Sequence, residues 1–151
     1  MEVLRQQTRK RGPAVRIADT PLGRGVFAVR RFRPQQVIGV IRGKVMDDPD
    51  YSSEYCMDLG EGRSLEPAAP FRYLNHSCQP NCEIFAWESD EPAPQDRLWL
   101  QALRPIESGE ELTIDYAWPA DAAIPCACGA QACRNWIVSP EQLALVMQNA
   151  V

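Results

Sequence analysis

A chain of 151 residues, 45% of them hydrophobic, is sized to close one domain around a real core. No apolar run approaches the ~20 residues that span a bilayer, and residues 1–7 lack the charged-then-apolar layout of a secretory signal. A soluble intracellular protein is expected, cytoplasmic in a bacterium, with a nuclear or host-directed one as the alternative, and no membrane partner. The net charge of -4 divides into +7 over residues 1–33 and -11 over residues 34–151. So acidic a body disfavours direct nucleic-acid binding through phosphates and suits a Lys- or Arg-rich peptide.

In chain order, residues 1–12 form a basic tail that reads as a solvated run leading into a first strand at 15–17. Residues 20–25 are turn-rich, and an extended pattern resumes at 26–29. Gly23 and Gly25 let the backbone approach a ligand. A lone Gly-x-Gly fits neither a dinucleotide fingerprint nor a phosphate loop, and by itself it reads as a hairpin turn. Residues 36–45, rich in Val and Ile and broken by Gly39 and Gly43, predict a bent strand or a strand pair.

A turn at 47–50 follows, then residues 51–59 with Tyr51, Tyr55, Cys56 and Met57, ending at Gly60-Glu-Gly62. Residues 71–74 read as one helical turn. The stretch Arg72-Tyr-Leu-Asn-His-Ser-Cys-Gln-Pro-Asn-Cys82 packs the chain's single His between two Asn and two Cys. Its Asn, His and Ser favour a folded loop over a helix or strand, and chemistry this dense in a loop points to a ligand, a metal or both.

Residues 83–87 and 97–102 predict paired strands joined by a polar, Pro-containing segment. A turn at 107–110 precedes a short strand at 112–114 that runs into Asp115-Tyr116. Residues 119–125 are a linker to a cysteine cluster. A final helix starts at Ser139-Pro140, with Leu143, Leu145, Val146 and Val151 on a partial apolar face. It is expected to pack on the body rather than on a second copy, for a monomer or a homodimer. The whole predicts a mainly β domain of several short strands and little helix.

Six cysteines without an export signal point to metal or catalysis rather than to disulfides. Cys126-x-Cys128-x4-Cys133 offers three thiolates, one short of a closed tetrahedral zinc site. Cys78, Cys82, Cys56 and His76 are the candidates for the fourth ligand. Zinc there would supply ~10–16 kcal/mol to a segment with little else to fold it, and would staple that segment over the 72–82 loop. A thiol enzyme using His76 and a nearby Cys is a poor reading, because adjacency in sequence is not spatial pairing.

Together these pieces resemble the SET-domain protein lysine methyltransferases. Gly23-Arg-Gly25-Val-Phe matches the family's N-terminal segment, and Arg72-Tyr-Leu-Asn-His-Ser-Cys-Gln-Pro-Asn81 its Arg-Phe-Ile-Asn-His-Ser-Cys-x-Pro-Asn motif. Glu111-Leu-Thr-Ile-Asp-Tyr116 and Cys126-x-Cys128-x4-Cys133 match its Glu-Leu-Thr-x-Asp-Tyr and post-SET motifs. The resemblance implies a SET domain at 13–118, a post-SET zinc segment at 119–137 and a C-terminal helix at 138–151, with no pre-SET region. The fold it implies is several small sheets with a C-terminal pseudoknot, with S-adenosylmethionine on one face and a Lys-containing basic peptide on the other.

The resemblance assigns Tyr116 and Tyr73 to catalysis, with Tyr51 as a further channel wall. Gly23, Arg24, Gly25, Val26, Tyr55, Asn75, His76 and Trp136 fall to the cofactor, and Cys78, Cys126, Cys128 and Cys133 to zinc. The implied substrate is a basic tail of a histone, nucleoid or ribosomal protein. Two departures stand out: Ile41 and Lys44 replace the Tyr and Glu of the family's Tyr-x-Gly-Glu. They support the alternative, a catalytically inactive SET-fold module that binds a peptide without reaction. Ile114, where many members carry an aromatic, leaves the degree of methylation open.

Overall fold

The alternating apolar runs, cut by Gly and Pro, fold as twelve short strands in four small sheets in a computed structural model that describes residues 12–86 and 97–149. All but Gly12 of the expected basic tail at 1–12, Trp87, the segment joining the paired strands and Val151 of the expected final helix lie outside the described residues. β1 (Val15–Thr20) and β2 (Gly23–Ala28) form a hairpin closed by Pro21 and Leu22, with Thr20 opposite Gly23. The turn is therefore two residues long, and Gly23-Arg24-Gly25 belongs to the strand rather than to a loop. Gly23 takes φ +109, open to glycine at no steric cost. Gly25 answers to a different constraint: a Cβ there would stand 2.6 Å from a Glu111 carboxylate oxygen and 3.2 Å from the Asn75 amide nitrogen.

The Val- and Ile-rich run at 36–45 splits at Arg42 into β3 (Val37–Ile41) and β4 (Gly43–Met46), which join different sheets. β4 pairs with β6 (Arg63–Pro67), which also pairs with β5 (Met57–Gly60). β3 pairs with β9 (Leu98–Ala102), whose other edge takes β8 (Cys82–Phe85), as the expected strand pair requires. β9 alternates strictly: Leu98, Leu100 and Ala102 are buried, and Trp99 and Gln101 are half-buried. The core gathers around Val26, Ile41, Leu65, Leu100, Ile106 and Leu112.

β10 (Glu111–Ile114) organises the centre. It runs antiparallel to β2 on one edge and parallel to β7 (Asn75–His76) on the other. Here the structure corrects the loop reading of residues 72–82. Phe71–Tyr73 is a 3-10 turn capped by Leu74, Asn75 and His76 are strand, and residues 77–81 are loop. The physical reason is long-range: Thr113 and Ile114 offer backbone partners that override local preference. The loop is then pinned by Asn81, which is 3% exposed. Its amide donates to the Glu111 carbonyl (2.8 Å) and its side-chain oxygen accepts from the Thr113 N–H (2.9 Å).

After β10 the chain makes a 3-10 turn (Ala120–Ala122) and a small ribbon of β11 (Ile124–Pro125) and β12 (Trp136–Ile137). A further 3-10 turn (Pro140–Gln142) leads into α1 (Leu143–Asn149). α1 packs against the 120–122 turn with Val146 buried, while Leu145 and Met147 stay exposed. The Ser139 side chain makes no cap bond; instead the Gln142 amide oxygen accepts from the Ala120 N–H at 2.7 Å.

Asn81→Ala would strand the half-buried Thr113 N–H and the Glu111 carbonyl. A loss of about 3 kcal/mol is expected, read as a lower urea midpoint with an unchanged slope; an unchanged midpoint would show that the loop is not held there.

Candidate functional site

Four thiols converge where β7 ends. The sulfurs of Cys78, Cys126, Cys128 and Cys133 all lie within 4.8 Å of one another. Cys78 Sγ is 3.9 Å from both Cys126 Sγ and Cys133 Sγ. A tetrahedral ion with bonds of ~2.3 Å to sulfur separates its ligands by ~3.8 Å, so the donor set fits such a metal. Backbone N–H groups already face the sulfurs: Arg134 N–H donates to Cys78 (3.4 Å) and Asn135 N–H to Cys133 (3.3 Å). Burial pushes the Cys78 and Cys126 thiols up, a cost that a cation would offset. The other two fourth-ligand candidates among the cysteines lie elsewhere. Cys82 is in the core, its thiol pushed up to about 12 by burial, and Cys56 sits against Ser53.

His76 couples this cluster to β10. Its Nδ1 accepts the Tyr116 N–H at 3.0 Å, so the network assigns the proton to Nε2, which lies 3.4 Å from Cys78 Sγ. Burial holds the imidazole below its ordinary range and therefore neutral. A neutral ring with Nδ1 occupied and Nε2 protonated cannot serve as a base toward Cys78, which removes the thiol-enzyme reading. Arg134, the single basic residue after Arg104, reaches back from the cysteine segment to Asp115 at 2.8 Å.

Two cavities meet beside this assembly. The larger, of ≈ 720 Å³, lies between Gly23, Arg24, Tyr73, Asn75 and His76 on one side and Ile124, Cys126, Cys128 and Ile137 of the cysteine segment on the other. The smaller, of ≈ 420 Å³, is walled by Met57, Phe71, Ile84, Leu98 and Ile114, with Glu54 and Asp58 in its lining. Glu54, Tyr55, Arg72, Leu74, Tyr116 and Trp118 border both. Both volumes fall in the ordinary range for small-ligand sites.

Tyr116 is the pivot of that junction. Its hydroxyl donates to the Leu74 carbonyl (2.5 Å), and its ring lies 5.2 Å from Trp118 and 5.3 Å from His76. Burial, with smaller contributions from Tyr55, Glu111 and Glu54, pushes its phenol up to about 12, so it stays a neutral donor. The Arg72 guanidinium stacks on Tyr55 at 4.0 Å, and Arg24 stands over Tyr73 at 5.4 Å. Glu66 anchors this wall from behind: its carboxylate accepts from the hydroxyls of Tyr51 (2.7 Å) and Ser53 (2.6 Å), with Arg72 at 3.3 Å.

Of the residues singled out in the sequence, Gly23, Arg24, Tyr55, Tyr73, Asn75, His76 and Tyr116 line the larger cavity. Gly25 does not; it makes room for Asn75, whose amide donates to the Arg24 carbonyl and to Glu111. Val26 is fully buried in the core. Trp136 pairs with Pro125 in the ribbon, and its neighbour Ile137 takes the place in the wall. Tyr51 lines neither cavity and is engaged with Glu66. Ile41 is core and Lys44 is an exposed residue of β4, and both are absent from the cavity walls.

Sequence reasoning missed Trp118, Glu54, Glu66 and the Arg134–Asp115 pair. Arg134 carried a signal, as an isolated charge inside the cysteine cluster. The rest depend on contacts between distant segments.

Residues 23–117 match the SET domain family model. The Drosophila melanogaster protein named histone-lysine N-methyltransferase trr is 35% identical over 132 residues, covering 76% of this chain and 5% of that protein. The Emericella nidulans protein named histone-lysine N-methyltransferase, H3 lysine-4 specific, is 41% identical over 70 residues, covering 44% of this chain and 6% of its own. The chain thus spans a small fraction of these relatives' length. Among solved structures, that of KRYPTONITE with mCHH DNA, H3(1-15) peptide and SAH superposes with a TM-score of 0.71 over 82% of this chain and 29% of that one, at 22% identity. At that identity the likeness is one of fold.

The four-thiol geometry predicts one bound metal ion per chain by elemental analysis. Cys78→Ser should reduce that content strongly and Cys56→Ser should leave it intact; equal metal in both variants would contradict the assignment.

Proposed function

The chain belongs to the SET-domain family, and from that membership we propose that it is an S-adenosylmethionine-dependent protein lysine N-methyltransferase acting on a basic protein tail. The observation that carries the reading is the junction: two cavities of different character share one neutral tyrosine, Tyr116, in their lining. The larger cavity takes the cofactor, whose sulfonium supplies an electrophilic methyl group. Gly23, Arg24, Asn75 and His76 hold it from the sheet side, and residues 124–128 and Ile137 cover it. That cover is the segment held by the thiols, for which we propose zinc, since a tetrathiolate set suits that ion. A reduced tetrathiolate in turn suits the reducing interior of a cell.

The smaller cavity takes the lysine side chain. A free lysine amine has a pKa of about 10.4 and is protonated, hence not nucleophilic, near neutrality. Carbon walls from Phe71, Ile84, Leu98 and Ile114 strip its water and lower that pKa, so the free base forms without a strong general base. Tyr116, neutral and fixed on the Leu74 carbonyl, orients the amine for in-line approach, and orientation supplies much of the rate in a displacement of this kind. Tyr73 completes the wall on the cofactor side. The acidic body, and Glu54 and Asp58 in the lining, favour a Lys- and Arg-rich peptide over nucleic acid. The inactive-module reading loses its support, because Ile41 and Lys44 touch neither cavity.

Incubation with labelled S-adenosylmethionine and basic proteins, histones included, should place methyl groups on lysine. Tyr116→Phe should lower kcat by ~100-fold or more while S-adenosylhomocysteine binding persists. Transfer to none of the proteins, or equal turnover by Tyr116→Phe, would contradict the assignment.

A further inference from the structure

We infer that Glu66 is a positioning residue for the methyl donor's pocket. It lines neither cavity, yet it sets Tyr55, which borders both, through two separate arms that end on its one carboxylate. The inference rests on the methyltransferase reading above.

Residues 51–56 belong to no strand or helix, although Tyr55 and Cys56 stand in the cavity walls. With no ladder to hold those two, their placement falls to side-chain bonding. Ser53 supplies the first arm. Its hydroxyl oxygen accepts the N–H of Tyr55 at 3.1 Å and of Cys56 at 3.0 Å, a local turn closed by a side chain. The same hydroxyl donates its proton to Oε1 of Glu66 at 2.6 Å, and the Tyr51 hydroxyl donates to that oxygen at 2.7 Å.

The second arm reaches the ring. Arg72 Nη1 donates to Oε2 of Glu66 at 3.3 Å, with the Pro67 carbonyl at 3.5 Å. The same guanidinium lies 4.0 Å from the centroid of the Tyr55 ring, where the negative face of the ring attracts it. One carboxylate oxygen therefore governs the backbone of Tyr55 and the other its side chain. The Ser53 and Tyr51 hydroxyls, with the Arg72 charge, hold the Glu66 carboxyl below its usual range, so it is an anion at neutral pH and can keep both arms. Glu66 itself sits on β6, its backbone paired opposite Lys44, so a rigid strand carries the group that places an irregular segment. Arg72 borders both cavities too, and its pairing with Glu66 keeps that cation against Tyr55 rather than free beside a sulfonium and a lysine.

Calorimetry of S-adenosylhomocysteine binding to the full chain tests this with Glu66→Ala, Tyr55→Ala and the double variant. Glu66→Ala should weaken binding by ~10-fold, and the double variant should bind within ~2-fold of Tyr55→Ala, because contacting groups are not additive. Ser53→Ala cuts the first arm alone and leaves Glu66 in place; it should weaken binding in the presence of Tyr55 and have no effect in the Tyr55→Ala background. That pair carries the test if Glu66→Ala does not fold. Unchanged affinity in Glu66→Ala or in Ser53→Ala would overturn the inference. So would equal losses with and without the Tyr55 side chain, the mark of a merely structural role. If the unsubstituted chain binds no S-adenosylhomocysteine, the functional reading itself falls, and the inference with it.

Discussion

Everything at this site depends on the meeting of four sulfurs contributed by segments some fifty residues apart in sequence. The residues between Cys126 and Cys133 include Gly129 and small side chains, bury little, and form no element longer than a two-residue strand. Hydrophobic burial cannot hold such a segment, and the four convergent thiols form a donor set that a metal ion could tie together. The thiols fix the cover of the larger cavity. Through His76 and the Arg134–Asp115 pair they also reach the two residues that follow the central strand, Asp115 and Tyr116. Holding the cover and orienting Tyr116 are thus one structural act.

The division of labour between the cavities follows from their walls. One is bounded by residues of β2 and β7 and by the cysteine segment, the other by residues of β5, β8, β9 and β10 and the turn at 71–73. The tyrosine between them is buried enough to stay protonated at any working pH, which makes it a hydrogen-bond donor rather than a base. In the proposed reaction a site without a strong base needs its amine made neutral by its surroundings, and carbon walls would do this. Glu66 adds a support from the outside. By gathering Tyr51, Ser53 and Arg72 it holds the irregular 51–55 segment against the junction, and its own carboxyl is held below the usual range by those hydroxyl donors.

Much of this was legible in the sequence because the informative residues are ones whose chemistry forbids bland placements. Three close cysteines around a glycine make a poor core, and Asn-His-Ser-Cys is a poor solvated loop. The strands at 82–85 and 98–102 announced themselves by alternation. What stayed hidden depends on distance in the chain. β7 is strand only because Thr113 and Ile114 lie alongside it. β6, with Ser64, Glu66 and Pro67, looks unlike a strand until β4 and β5 flank it. Trp118 and Ile137 enter the cavity wall through tertiary placement, and no spacing rule would have chosen Ile137 over its neighbour Trp136.

The central claim is that the thiol-bound ion holds the roof of the methyl donor's pocket. Calorimetry of S-adenosylhomocysteine binding, before and after chelation of the ion and with circular dichroism to follow the β core, addresses it most directly. The account predicts that affinity falls by at least ~10-fold, or ~1.4 kcal/mol, while the sheet signal survives. Undiminished affinity in metal-free protein would contradict it.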